Sequence, residues 1–243
     1  MSDATTKPST FVLVHGAWHG GWCWRRVADL LTAQGHRVFT PTLSGVADRS
    51  HLAGRDVDLS THIADVANLL KWEGLKDVVL CGHSYGGMVI SGVAEMAPAG
   101  AIGSIVFLDA FLPDDGRSLF DYTTVPGAEG GPMEEEGEAT GFVSPIPAQV
   151  FGVNEQDRAW VNAQCTPQSY RTFTEKARLT GARERIAKKA YVLATGYPQL
   201  TFPTFAAKVK DDPAWRYYEV PSGHDVMLDA PERLAEILEE AAG

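Results

Sequence analysis

Ser84 is the first residue whose surroundings suggest chemistry. It stands in Gly82-His83-Ser84-Tyr85-Gly86-Gly87, entered from the apolar run Val78-Val79-Leu80-Cys81 and followed by a helix-compatible segment, Met88 to Glu95. A buried strand that turns sharply into a helix puts a serine at the apex of a strained turn, its hydroxyl projecting from the sheet edge. Gly82 and Gly86 give strand and helix room to approach. The five-residue pattern alone also fits an ordinary glycine-rich turn; its flanks select the nucleophile. Serine is a weak nucleophile at neutral pH and needs a base to accept its proton. Of the seven histidines, His224 follows the apolar run Trp215 to Val220, in the loop Pro221-Ser222-Gly223-His224. Serine first and histidine last is the order expected with such an elbow.

Acyl transfer passes through an oxyanion, commonly held by two backbone N–H groups. The elbow offers that of Tyr85, and the turn His15-Gly16-Ala17-Trp18-His19-Gly20-Gly21 offers that of Ala17, where Gly16 lets the backbone come close to substrate. The N–H of Trp18 is the alternative donor, and its ring is a candidate pocket wall. Trp22 and Trp24 are expected to pack around the first helix.

These residues need a scaffold that gathers strand ends. Apolar runs at 11–14, 37–41, 78–81, 105–109, 190–194 and 215–220 read as strands, and 22–33, 61–72, 88–95, 202–210 and the segment opened by Pro231 read as helices. Residues 183–189 read as a basic helix and 44–60 as a polar loop. Strands alternating with helices predict one α/β domain, a mostly parallel sheet of about six strands covered on both faces. In such sheets ligands sit at the carboxyl ends of the strands, where the glycine turn, Ser84, Asp109 and His224 all fall. Residues 114–180 interrupt the alternation with prolines, glycines and the acidic run Glu134-Glu135-Glu136, and are expected to form a cap insertion of loops and helices. Its Phe120, Tyr122, Phe142, Phe151, Trp160 and Phe173 could roof an apolar pocket, Phe120 and Trp160 foremost, or pack the insertion onto the sheet.

Composition narrows the function. With 243 residues, 44% hydrophobic and 21% charged, the chain can bury a substantial core. A net charge of −10 argues against nucleic acid as a partner. Three scattered cysteines suit neither a disulfide framework nor a zinc site. The polar start, Met1 to Thr10, is no signal peptide, and no apolar stretch is long enough to span a bilayer. The expectation is a cytoplasmic enzyme without metal or organic cofactor. Its partners are a small ester-like molecule and at most a second copy of the chain, as a homodimer.

With His15-Gly16-Ala17, Gly82 to Gly87 and Gly223-His224 in hand, the chain resembles an α/β-hydrolase, and within that superfamily is similar to the small esterases that include plant methyl esterases and hydroxynitrile lyases. The resemblance covers most of the sheet domain and fades in the insertion. It implies a Ser-His-acid triad with the acid after the penultimate strand, but the matching segment Ala194-Thr195-Gly196-Tyr197-Pro198-Gln199 holds no acid. Some α/β-hydrolases place the acid one strand earlier, where Asp109 ends Phe107-Leu108-Asp109 in apolar surroundings. A carboxylate buried there needs a partner, and a protonatable histidine is a natural one; capping the following turn is the structural alternative. Asp225, adjacent to His224, is the weaker candidate because neighbouring side chains diverge. Lyases of this family carry a threonine after the first-strand histidine and a lysine after the catalytic one; Gly16 and Asp225 stand there instead, favouring hydrolysis of an ester, carbamate or lactone over C–C cleavage or a receptor without catalysis.

Overall fold

The computed structural model describes residues 8–123, 131–198 and 201–243. The first seven residues, 124–130 of the insertion and Gln199 of the segment matched to the family's acid loop lie outside the described residues. Six strands form one sheet: β1 (Thr10–Val14), β2 (Arg37–Phe39), β3 (Val78–His83), β4 (Ile102–Leu108), β7 (Lys188–Ala194) and β8 (Trp215–Val220). Their order is β2-β1-β3-β4-β7-β8 and every pairing is parallel. The two remaining strands, β5 (Phe142–Val143) and β6 (Gln168–Ser169), pair antiparallel inside the insertion.

Strand periodicity divides the core into two layers. Val12 and Val14 of β1 and Leu80 of β3 face one layer, with Val66 and Leu70 of α2 (Leu59–Trp72), Met88 and Ile90 of α3 (Gly86–Met96) and Phe205 of α8 (Thr201–Val209). Phe11, Leu13, Val79 and Cys81 face the other, against Val27 and Leu31 of α1 (Arg25–Ala33) and Leu234 and Leu238 of α9 (Pro231–Ala242). Each such side chain contributes about 1.5–3 kcal/mol of burial, so the central strands are fixed in register by both faces. Asp58 caps α2, accepting from the Thr61 N–H at 2.9 Å.

Residues 183–189 do not form the expected helix. Arg183–Arg185 is a single 3-10 turn, and Lys188 and Lys189 already pair with Ser104 and Ile105 as the start of β7. Lys189 Nζ donates back to the carbonyls of Glu184 and Ile186, which lets a charged residue open a parallel strand. Between β4 and β7 the described insertion holds α4 (Phe120–Thr123), α5 (Pro132–Thr140), α6 (Glu155–Gln164), α7 (Arg171–Thr174) and the β5–β6 pair. The acidic run sits on α5, where Glu134 caps the Gly131 N–H and Glu136 accepts from Ser144.

Candidate active site

The end of β3 turns into α3 at Ser84, whose φ of +54° lies in the left-handed region that a residue with a Cβ normally avoids. The turn is locked from both sides: Ser84 N–H donates to Leu108 O at 3.2 Å, and Ser84 O accepts from Gly87 and Phe111 at 3.0 and 3.1 Å. The strand and helix touch as expected, since a Cβ on Gly82 would lie 2.5 Å from Gly86 O. Gly16 serves the elbow rather than substrate approach: a Cβ there would meet His83 Nδ1 at 2.9 Å and Ser84 Cβ at 3.0 Å.

His224, in the loop after β8, and Asp109, at the end of β4, meet in the interior. His224 Nδ1 is 2.7 Å from Asp109 Oδ2, with His224 2% exposed and Asp109 wholly buried. Asp109 also has a positive φ, +40°, and its N–H donates to Val192 O at 2.6 Å. The carboxylate is fastened at both oxygens: Ala194 N–H donates to Oδ1 at 3.1 Å and Tyr197 O–H to Oδ2 at 2.7 Å. The segment that lacks the family's acid therefore supplies two supports for an acid from the neighbouring strand. The imidazole lies parallel to Phe202, 4.9 Å away, and 5.0 Å from Phe151. Asp225 points elsewhere, to His19 Nε2 at 3.2 Å and His83 Nε2 at 3.8 Å.

Ala17, Tyr85, Ser84 and His224 line one cavity of about 190 Å³. Among the described residues neither the Ala17 nor the Tyr85 N–H has an internal acceptor, whereas Trp18 N–H is already given to Gln168 Oε1 at 2.9 Å. The alternative donor is thereby removed. Trp18 does wall the cavity, with Phe111, Phe151, Phe173 and Phe202. Two expected wall residues do not. Phe120 stacks behind Phe173 at 5.5 Å, one layer away, and Trp160 packs edge-on against Trp22 at 4.9 Å, beside the first helix. Among the described residues no group of side chains could hold a metal ion, and no helix is long and apolar enough to cross a membrane.

Several buried polar residues around the site are absent from the sequence-level assignment. Burial holds the His83 imidazole well below the ordinary histidine range, hence neutral, and its Nε2–H donates to His224 O at 3.0 Å. His19 is the opposite case: burial alone would favour its neutral form, yet Asp225 keeps it charged, well above the usual range, and its own carboxyl well below. Nothing local in the sequence marks Tyr197, in a segment without an acid, or His19, one more residue of the glycine turn.

A parallel sheet with a serine on a strained strand–helix turn at its carboxyl edge defines an α/β-hydrolase. The chain belongs to the alpha/beta hydrolase family, which residues 11–237 match. It is 43% identical over 242 residues to a carbendazim hydrolyzing esterase of Nocardioides sp. (strain SG-4G), covering 95% of this chain and 98% of that one. An alpha-hydroxynitrile lyase of Arabidopsis thaliana is 39% identical over 127 residues, 49% of this chain and 48% of that protein. In three dimensions the chain superposes on an extracellular α/β-hydrolase from a Paenibacillus species with a TM-score of 0.82, at 27% identity, over 96% of this chain and 99% of the other.

Proposed function

We propose that the protein is a serine esterase in which Ser84 is the nucleophile, His224 the base and Asp109 the triad acid. The observation that carries this is the 2.7 Å contact between His224 Nδ1 and buried Asp109, with His224 and Ser84 on the same cavity. With Nδ1 committed to the carboxylate, Nε2 is the nitrogen left to take the serine proton. Ser84 Oγ attacks the substrate carbonyl carbon while its proton passes to His224 Nε2, and the oxyanion is held by the N–H groups of Ala17 and Tyr85. The tetrahedral adduct collapses, His224 returns the proton to the departing alcohol or amine, and an acyl-Ser84 ester remains. Water, deprotonated by His224, then releases the acid. The cap is residues 114–180.

The aromatic walls and the volume near 190 Å³ suit a small, largely apolar ester or carbamate. The esterase 43% identical over nearly the whole chain makes carbendazim the first compound to try. The three free cysteines, two of them buried, are consistent with a reducing, cytoplasmic setting. The test is a panel of activated esters, carbamates and lactones assayed with wild type and Ser84→Ala. Turnover in the first and none in the second is expected. Cleavage of a cyanohydrin faster than any ester would replace the esterase by a lyase, and failure of wild type on the whole panel would leave a ligand receptor.

A further inference from the structure

The loop that carries Ala17 is held in an unusual way. Two peptide units flank its Cα, and they carry four polar groups. The carbonyl of the first, Gly16 O, accepts from His15 Nδ1 at 2.7 Å. The carbonyl of the second, Ala17 O, accepts from His19 Nδ1, also at 2.7 Å, and the N–H of that unit, on Trp18, is bonded to Gln168 Oε1 at 2.9 Å. The fourth group is the Ala17 N–H, the only one of the four without an acceptor among the described residues. Both imidazoles are themselves anchored and buried: His15 Nε2 accepts from Leu43 N–H at 3.0 Å, His19 Nε2 bonds Asp225 Oδ2 at 3.2 Å, and Trp22 stacks on His19 at 5.1 Å.

We propose that His15 and His19 are positioning residues that clamp the two peptide units around Ala17, so that its N–H stays aimed at the oxyanion; this rests on the esterase reading, in which Ala17 is an oxyanion donor. An amide that must meet a developing charge contributes most when it needs no reorientation at the moment of reaction. A glycine-rich turn would not supply such rigidity unaided. The backbone conformation being held is also a strained one, since Trp18 has a φ of +64°. The protonation states suit the task. His15 must be neutral, with its proton on Nδ1, because Nε2 accepts from Leu43; burial supports this by lowering its pKa to about 3. His19 donates at both nitrogens, to Ala17 O and to Asp225, which is the imidazolium form its carboxylate partner sustains.

Asparagine places an amide near the Nδ1 position of histidine, and glutamine near Nε2, so the two substitutions separate the two contacts of each ring. His19→Asn keeps a donor for Ala17 O; His19→Gln keeps only the contact to Asp225. With an activated acetate ester as substrate, His19→Gln is expected to lower kcat about 10-fold, part of the roughly 100- to 1,000-fold that complete loss of an oxyanion donor costs. KM should stay within about 3-fold, because the clamp acts on the transition state. His19→Asn should remain within about 3-fold of wild type in both. His15→Asn and His15→Gln form an independent pair with the same expected order, should either His19 variant fail to fold by circular dichroism. Equal losses within each pair, no losses, or losses confined to KM would overturn the clamp. The donor itself is tested separately in wild type: formation of a phosphonate adduct on Ser84 should move the Ala17 amide proton resonance. A stationary resonance would remove Ala17 as a donor, and the clamp with it, whatever the variants do.

Discussion

Two buried histidine–aspartate pairs lie within a few residues of the same cavity, and they are built for different work. In His224–Asp109 the carboxylate takes hydrogen bonds from Tyr197 and Ala194 as well as from the ring, and among the described residues only Nδ1 of the imidazole is engaged. In His19–Asp225 both ring nitrogens are engaged, by Asp225 and by Ala17 O, while Asp225 Oδ1 has no hydrogen-bond partner among the described residues. Among the described residues the first ring keeps Nε2 without a hydrogen-bond partner, as the proposed base requires, whereas the second ring is held at both nitrogens. A buried His–Asp contact is therefore no signature of a triad by itself: what the second nitrogen does decides.

Substitutions can break this contrast. Asp109→Asn should lower kcat by about 1,000- to 10,000-fold with the fold intact, because the amide favours the wrong tautomer of His224; steady-state kinetics on an activated ester checks this, and a near-wild-type rate would move the acid elsewhere. Asp225→Asn should cost at most about 10-fold, since His19 keeps Nδ1 for Ala17 O and the proton path is untouched; a loss equal to that of Asp109→Asn would make His19–Asp225 part of the chemistry. Tyr197→Phe removes one of the bonds to Asp109 Oδ2 and should lower kcat about 3- to 10-fold at unchanged KM, roughly the 1 kcal/mol of one hydrogen bond; no change would mean that the carboxylate is oriented without the Tyr197 hydroxyl.

The same contrast extends to pH. His15, His62 and His83 are buried with depressed pKa values, so on unfolding each gains a proton below its free value near 6.5, and stability falls as pH drops. His19, raised by Asp225, has the opposite sign: its contribution is complete below 6.5 and is lost as pH rises through its folded pKa. Asp225 is depressed and contributes fully above about 3.8, weakening only in stronger acid. Stability should therefore peak near neutrality. Urea unfolding is expected to show stability falling as pH drops from 6.5 to 5, by at most about 1.4 kcal/mol per pH unit for each ring that stays neutral in the fold, and a flat profile over that range would show that these rings do titrate in the folded protein.

The sheet was legible because its strands are continuous apolar runs, the pattern of strands buried on both faces, and the elbow because its glycines follow one of them. Asp109 stands out in sequence as a carboxylate ending an apolar run, to be explained by a histidine partner or by a capped turn; His224 Nδ1 lies 2.7 Å from it. The cavity walls were not. Phe120, Phe151, Trp160 and Phe173 look alike in sequence, and which two reach the cavity depends on how an insertion of short helices with little periodicity packs. Residues 183–189 misled because basic residues with helical spacing can also open a parallel strand when a lysine folds back onto preceding carbonyls. The His19–Asp225 pair joins residues 206 positions apart, and nothing local in either segment announces the other.

Covalent catalysis through Ser84 underlies every rate predicted above. Intact-protein mass spectrometry of an acid-quenched reaction with an activated ester, followed by peptide mapping, tests it directly. The expected result is one added acyl group per chain, on the peptide containing Ser84. Continued turnover with no acyl-protein, or an acyl group on any other residue, would contradict it.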